Sequence, residues 1–225
     1  MRNQARKRKK PFHFQLIKRR EMWTLTLQGW IVTSTIVLVL ILIVITNVQS
    51  FLAVTSPIKA DILVVEGWLA DEALKQALNE FTVGSYTYIV TTGVPLQRGF
   101  YLSEYKDFAN LAAATLKAMG ASDEKIIPIP TPDVKKDRTY ATAVALKEKV
   151  ATSQLKLESL NLFSDNVHAR RSWMLYKKVL PNTKIGIIAA ETGSYDTKRW
   201  WTSSEGIRSV IPEAIAYIYA LFKSY

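Results

Sequence analysis

The chain has 225 residues, no cysteine and a formal net charge of +11. The lack of cysteine excludes disulfides, thiolate nucleophiles and Cys-ligated zinc. With only His13 and His168 as histidines, and no clustered carboxylates, no metal site is expected. The charge is also concentrated: residues 1–28 hold nine Lys/Arg against one acid, Glu21, residues 29–58 hold none, and the remaining 21 basic residues face 18 acidic ones. A nucleic-acid-binding domain gathers positive charge on its folded face, so this pattern speaks against nucleic acid as a partner.

Residues 1–28 read as a basic cytoplasmic tail. Blocks of like charge stay solvated and, beside a bilayer, attract anionic lipid. Residues 29–48 read as a transmembrane helix, since about 20 apolar residues span the hydrocarbon layer. Ile31, Val32 and the unbroken run from Ile36 to Ile45 form its core, and Trp23 and Trp30 suit the near interface. A cleaved leader would carry a shorter apolar region and a small-residue cleavage site. Phe51–Thr55 is a poor one, so the run reads as an uncleaved anchor. Basic flanks stay cytoplasmic. The expectation is therefore a single-pass inner (plasma) membrane protein, N-terminus inside, with its C-terminal domain on the periplasmic side in a bacterium. Residues 49–59 read as a short linker that keeps this domain close to the membrane.

From Ala60 the pattern alternates. Apolar strands are expected at Asp61–Val65, Tyr86–Val90, Lys125–Ile129, Ser159–Phe163 and Lys184–Ala189. Between them lie helical periodicities: Leu74–Phe81, Ser103–Met119 ending at Gly120, Thr139–Val150, and a helix running to Val179. A last helix takes Ile215, Ile218, Tyr219 and Phe222 as its buried stripe, with a break at Pro212. Continuous apolar strands between helices imply a Rossmann-like α/β fold: a doubly wound, mostly parallel five-stranded sheet covered on both faces.

Ligands of such sheets bind beyond the carboxyl ends of the strands. The residues collected there are Glu66, Gly67 and Trp68; Thr91, Thr92 and Gly93; Asp137, Arg138 and Thr139; and the stretch Leu160–Ser172, which carries Ser164, Asn166, His168, Arg170 and Arg171. Thr139 and Ser164 read first as helix-start residues, where free N–H groups favour an anion. Arg138 and Arg171 suit a carboxylate or phosphate. Arg170 lies about 100° around the helix from Arg171 and is the weaker candidate. His168 is the candidate general acid or base, with Glu66 or Glu104 as its partner. Trp200-Trp201 offers a stacking wall, a membrane-facing edge or core packing, and Thr202 with Glu205 has capping-box spacing. Glycine conformational freedom and helix capping account for any one of these residues; the set points to a ligand crevice. No dinucleotide fingerprint, P-loop or nucleophile elbow is present.

At these residues the chain resembles the DUF218 family, the YdcF/SanA/ElyC-like proteins. The matching pieces are Ala60–Val65 with Gly67, Thr91-Thr92-Gly93, Arg138–Ala143, and Ser164–Ser172 with His168 and Arg171. Thr142 stands where the family has Asn, and Ser172 where it has Ala. The resemblance covers residues 60–222. It implies a Rossmann-like domain, often membrane-anchored, with a role in the bacterial envelope, and brings no established reaction or cofactor. Three readings remain open. One is an envelope protein of peptidoglycan or lipid-linked glycan metabolism, binding a phosphorylated or lipid-linked precursor. Another is a non-catalytic scaffold, and the third an enzyme using a nucleotide-type cofactor.

Overall fold

The computed structural model describes residues Met22–Ser153 and Leu157–Tyr225, so the basic tail up to Glu21 lies outside the described residues. The chain divides into two compact units, 1–41 and 42–225, within one continuous helix, α1 (Leu27–Leu52). At 1.5 Å per residue its 26 residues reach about 39 Å, more than the roughly 30 Å hydrocarbon layer. Among the described residues it is the one helix long and apolar enough to cross a membrane. It continues past the expected end at Val48, because its last turns have a place in the second unit. Gln49 and Leu52 are buried there.

The second unit is built on five strands: β1 (Ile62–Glu66), β2 (Tyr88–Gly93), β3 (Ile126–Pro130), β4 (Ser159–Ser164) and β5 (Lys184–Ala189). All pairs are parallel, in the order β3-β2-β1-β4-β5. The expected doubly wound sheet is thus observed. Order reverses at β1 and β4, whose carboxyl ends flank the position where open sheets bind ligands. One face is covered by α2 (Asp71–Val83) and α3 (Phe108–Ala118), through Leu74, Ala77, Ala112 and Leu116 on Leu63, Val65 and Phe163. The other is covered by α4 (Arg138–Thr152) and α5 (Ala169–Val179), through Leu146 and Tyr176 on Val64, Leu160 and Leu162. β1 is buried at every position, as its unbroken apolar run requires.

Four expectations about helices are corrected. α3 begins at Phe108 rather than Ser103, where Asp107 accepts a hydrogen bond from the backbone N–H of Asn110. α6 (Ser204–Phe222) is unbroken at Pro212: Val210, Ala214 and Tyr217, on either side of the proline, pack with Ile45, Val48 and Leu52 of α1. Its cap is Ser203, bonded to Gly206 N–H, not Thr202. The buried side of α6 is also the opposite of the one expected. Gly206, Val210 and Ala220 turn inward, whereas Ile215, Ile218, Tyr219 and Phe222 are exposed. Both sides have helical periodicity, and close packing selects the one with small residues.

Nor is residues 49–59 a free linker. Ser56 pairs antiparallel with Ile187 of β5, and Thr55 Oγ1 accepts from Ala189 N–H. The Asn161 side chain of β4 accepts from Ile58 N–H at 2.9 Å and donates to Ile58 C=O at 2.8 Å. Its second amide hydrogen goes to Tyr86 OH at 2.8 Å. Gly186 provides the space, since a Cβ there would collide with Asn161 Oδ1 and the Ile58 nitrogen. Asn161→Leu leaves the Ile58 N–H and C=O unpaired, at a cost of about 2 kcal/mol. In a thermal melt of the full chain in mild detergent the expected drop is about 6 °C. An unchanged Tm would mean that the strap is not anchored through Asn161.

Candidate functional site at the carboxyl edge of the sheet

β1 ends on a carboxylate. Glu66 is 2% exposed, and an anion at that depth requires donors. Ser164, at the end of β4, donates to Oε2 at 2.5 Å, and Ser172 of α5 donates to Oε1 at 2.8 Å. Ser164 is therefore neither a helix-start residue nor a lining residue: it holds Glu66. After β4 the chain makes a 3-10 turn, Asn166–His168, which brings His168 Nε2 within 3.8 Å of Glu66 Oε1. Nε2 is also 3.3 Å from Thr139 Oγ1, and Trp68 meets the ring edge-on, 5.0 Å between centroids.

The other side of the imidazole faces α6. His168 Nδ1 is 3.0 Å from Glu213 Oε1. Arg171 grips the same carboxylate twice, Nε to Oε2 and Nη2 to Oε1, both at 2.9 Å. Arg171 Nη2 also lies 2.9 Å from Nδ1, so the proton on Nδ1 decides whether that nitrogen donates to Glu213 or accepts from Arg171. Burial alone would raise the Glu213 pKa. The hydrogen bonds from His168 and Arg171, with their charges, outweigh it and hold the carboxyl at about 2. The two-point pair fixes α5 to α6.

These groups border a cleft of about 610 Å³. His168, Arg138, Thr139, Arg171, Thr92 and Gly93 all line it, so six of the residues expected at strand ends do meet at one edge. Their roles differ. Arg171 is committed to Glu213. Thr92 Oγ1 is fully buried, 3.2 Å from Tyr176 OH, which in turn donates to Thr142 Oγ1 at 3.3 Å. Burial raises the Tyr176 pKa, keeping that phenol neutral. Neither Gly67 nor Gly93 has positive φ. They admit the start of α3: a Cβ on either would collide with Phe108 backbone atoms, and Gly67 does not line the cleft.

Arg138, Lys135 and Lys136 are exposed at the cleft and make no ion pair among the described residues. Asp137, between Lys136 and Arg138, takes a left-handed φ of 56° and binds Lys223, and Tyr225 stacks on Tyr140 at 4.6 Å. The C-terminal residues thus form one wall of the cleft, with Tyr219.

Other expectations fail at this edge. Glu104 is exposed and does not line the cleft; of the two partners expected for His168, Glu66 is the one beside it, 3.8 Å from Nε2, and Glu213, 45 positions downstream, is a second one. Arg170 turns away to the Phe51 carbonyl, its guanidinium 3.9 Å from the centre of the Phe51 ring. Neither Trp200 nor Trp201 lines the cleft, and Trp200 takes the core-packing role expected for at least one of them, its Nε1–H bonded to Ile45 C=O at 2.9 Å. Sequence reasoning missed Glu213, Lys135, Lys136, Tyr219 and Tyr225. Glu213 had a readable signal, a lone acid in an otherwise apolar stretch of α6. No group of three or more His, Asp or Glu that could hold a metal occurs among the described residues. The arrangement can bind an anion at the mouth and exchange a proton through His168 inside. Neither protein-family models nor curated proteins give a match to the chain.

Glu213 is depressed in the fold, so its contribution to stability is complete above its ordinary value of 4.5 and is lost as pH falls toward about 2. Glu213→Gln should cost about 3 kcal/mol near neutrality, the scale for breaking a buried pair. The Tm gap between wild type and variant should stay level from pH 7 to about 5 and narrow from there toward pH 3. A gap of constant width would show that the charge of Glu213 does not hold α6.

Proposed function

We propose that this is a membrane-anchored protein of the cell envelope that binds an anionic, phosphate- or carboxylate-bearing ligand in the cleft at the strand carboxyl ends. The observation that carries this reading is the trio Lys135, Lys136 and Arg138: three cations at the mouth without an ion-pair partner among the described residues, above a buried Glu66–His168 cluster. Cations left unpaired at a concave polar site favour an anionic guest. His168, oriented by Glu213, is the group that moves a proton on that guest. The apolar helix with its basic flank supports an inner-membrane position, N-terminus cytoplasmic and domain periplasmic. The resemblance to the DUF218 family supports a role in peptidoglycan or lipid-linked glycan metabolism, and a lipid-linked or phosphorylated precursor is the ligand proposed.

A second reading, a scaffold without a ligand, draws on one observation: Arg171, His168 and Glu213 satisfy one another. The experiment that separates the two is a thermal-shift titration of the full chain in detergent with pyrophosphate, farnesyl phosphate and S-adenosylmethionine. A phosphate ligand at a hundredfold excess over its Kd adds about 2.7 kcal/mol, which raises Tm by about 8 °C. Lys135→Ala with Arg138→Ala should abolish the rise without lowering the unliganded Tm. A flat titration in both proteins favours the scaffold; a response to S-adenosylmethionine alone favours a nucleotide-type cofactor.

A further inference from the structure

The face of α6 turned away from the cleft is an unbroken apolar stripe. At 100° per residue, Ile207, Ile211, Ile215, Ile218 and Phe222 fall within an arc of about 80°. All five are exposed, Ile215 by 64% and Phe222 by 87%. The opposite face carries Glu213 and Ala220, which line the cleft. α6 therefore forms one side of the cleft and presents a greasy outer surface. A continuous patch of this kind marks an interaction site rather than scattered surface apolarity.

We propose that this stripe lies on a lipid bilayer, so that the cleft beside it opens at the level of the headgroups. The inference rests on the membrane-anchored reading. Three observations select lipid as the occupant. First, the side of α6 next to the stripe packs on the last turns of α1. Trp200 is bonded to Ile45, Tyr217 meets the Phe51 ring edge-on at 5.5 Å, and Val210 and Ala214 pack with Ile45, Val48 and Leu52. Second, these turns lie at the carboxyl edge of the sheet. Gln49 is bonded to Asn166, just past β4, and the chain then passes Ser56 antiparallel to β5, running away from that edge before it enters β1. The end of the apolar helix, α6 and the cleft thus share one side of the domain. Third, the charge is complementary to anionic headgroups. Of the charged residues on α6 and the turn before it, Lys198 and Arg208 make no ion pair among the described residues, Arg199 is paired with Asp196 and Lys223 with Asp137, and Glu213 is turned inward to Arg171, which leaves Glu205 as the uncompensated acid. An amphipathic helix with basic residues along its border lies in the interface plane. A ligand borne on a lipid headgroup would reach Arg138 without leaving the membrane surface.

The absence of cysteine makes the test direct. Ile215→Cys, Leu38→Cys and Lys147→Cys are each introduced into the full chain and labelled with an environment-sensitive fluorophore. The labelled proteins are reconstituted in phosphatidylcholine–phosphatidylglycerol vesicles with brominated acyl chains. Ile215 is on the stripe, Leu38 is in the apolar run, and Lys147 is an exposed position on α4. An interfacial helix buries its apolar face about 5–10 Å deep, so quenching by about half is expected at position 215, more at 38 and none at 147. Quenching at 38 but not at 215 overturns the proposal and leaves the anchor intact; a disulfide between two unlabelled Ile215→Cys chains, formed with an added oxidant in the same vesicles, would then assign the stripe to a second copy. No quenching at 38 overturns the anchor reading and this proposal with it. Equal quenching at 147 and 215 also overturns it, since contact would then not be specific to α6.

Discussion

A carboxylate buried at the end of the central strand sets the terms for everything around it. Glu66 follows four fully buried apolar residues and is itself only 2% exposed, at the floor of the cleft. An ionised group there must be held by donors or charge, at a cost of several kcal/mol if it is not. Ser164 and Ser172 are those donors, and they come from β4 and α5. This ties the carboxyl end of β1 to its neighbour strand and to the helix after it. The same tie fixes the 3-10 turn that carries His168, and the position of the imidazole follows from how Glu66 is satisfied.

A second constraint acts through Glu213. Its carboxylate takes Arg171 in a two-point grip and His168 through Nδ1, so α6 is locked to α5 by charge as well as by packing. The basic residues of the cleft then separate into two kinds. Arg171 is neutralised and structural. Arg138, Lys135 and Lys136 have no such partner among the described residues and give the mouth its positive field. A buried, compensated interior with an uncompensated rim suits recognition of a charged group that arrives from outside, because the interior does not have to reorganise to accept it.

The strands were legible because a two-sided sheet demands continuous apolar runs, and Asp61–Val65 or Lys184–Ala189 can be little else. The cleft was legible as a place, since parallel strands bring Thr92, Arg138, Thr139 and His168 to one edge. Individual roles were not. Ser164 resembles a helix start until Glu66 is seen against it. Gly67 and Gly93 resemble turn glycines until the approach of Phe108 is seen. Glu213 lies 45 residues from His168, and nothing local in sequence encodes a pairing at that distance. The buried side of α6 was misassigned for a related reason. Helical spacing identifies an apolar stripe but is silent on what covers it, and here the domain takes the face with Gly206, Val210 and Ala220.

That misassignment carries the main structural lesson of the α6 helix. A helix of a soluble domain hides its larger aliphatic residues; this one hides its small ones and displays four isoleucines and a phenylalanine. Folding alone gives no reason for such a display, because the same helix packs on α5 and on the last turns of α1 through its other side. The residues chosen for exposure are those that gain from a third phase, neither core nor water. With Arg208 at its border and the end of α1 against it, the helix has the composition of an interfacial element. With the stripe on the proposed bilayer, the cleft beside it would face the same phase, and the fold would link where the chain is anchored to what its site can reach.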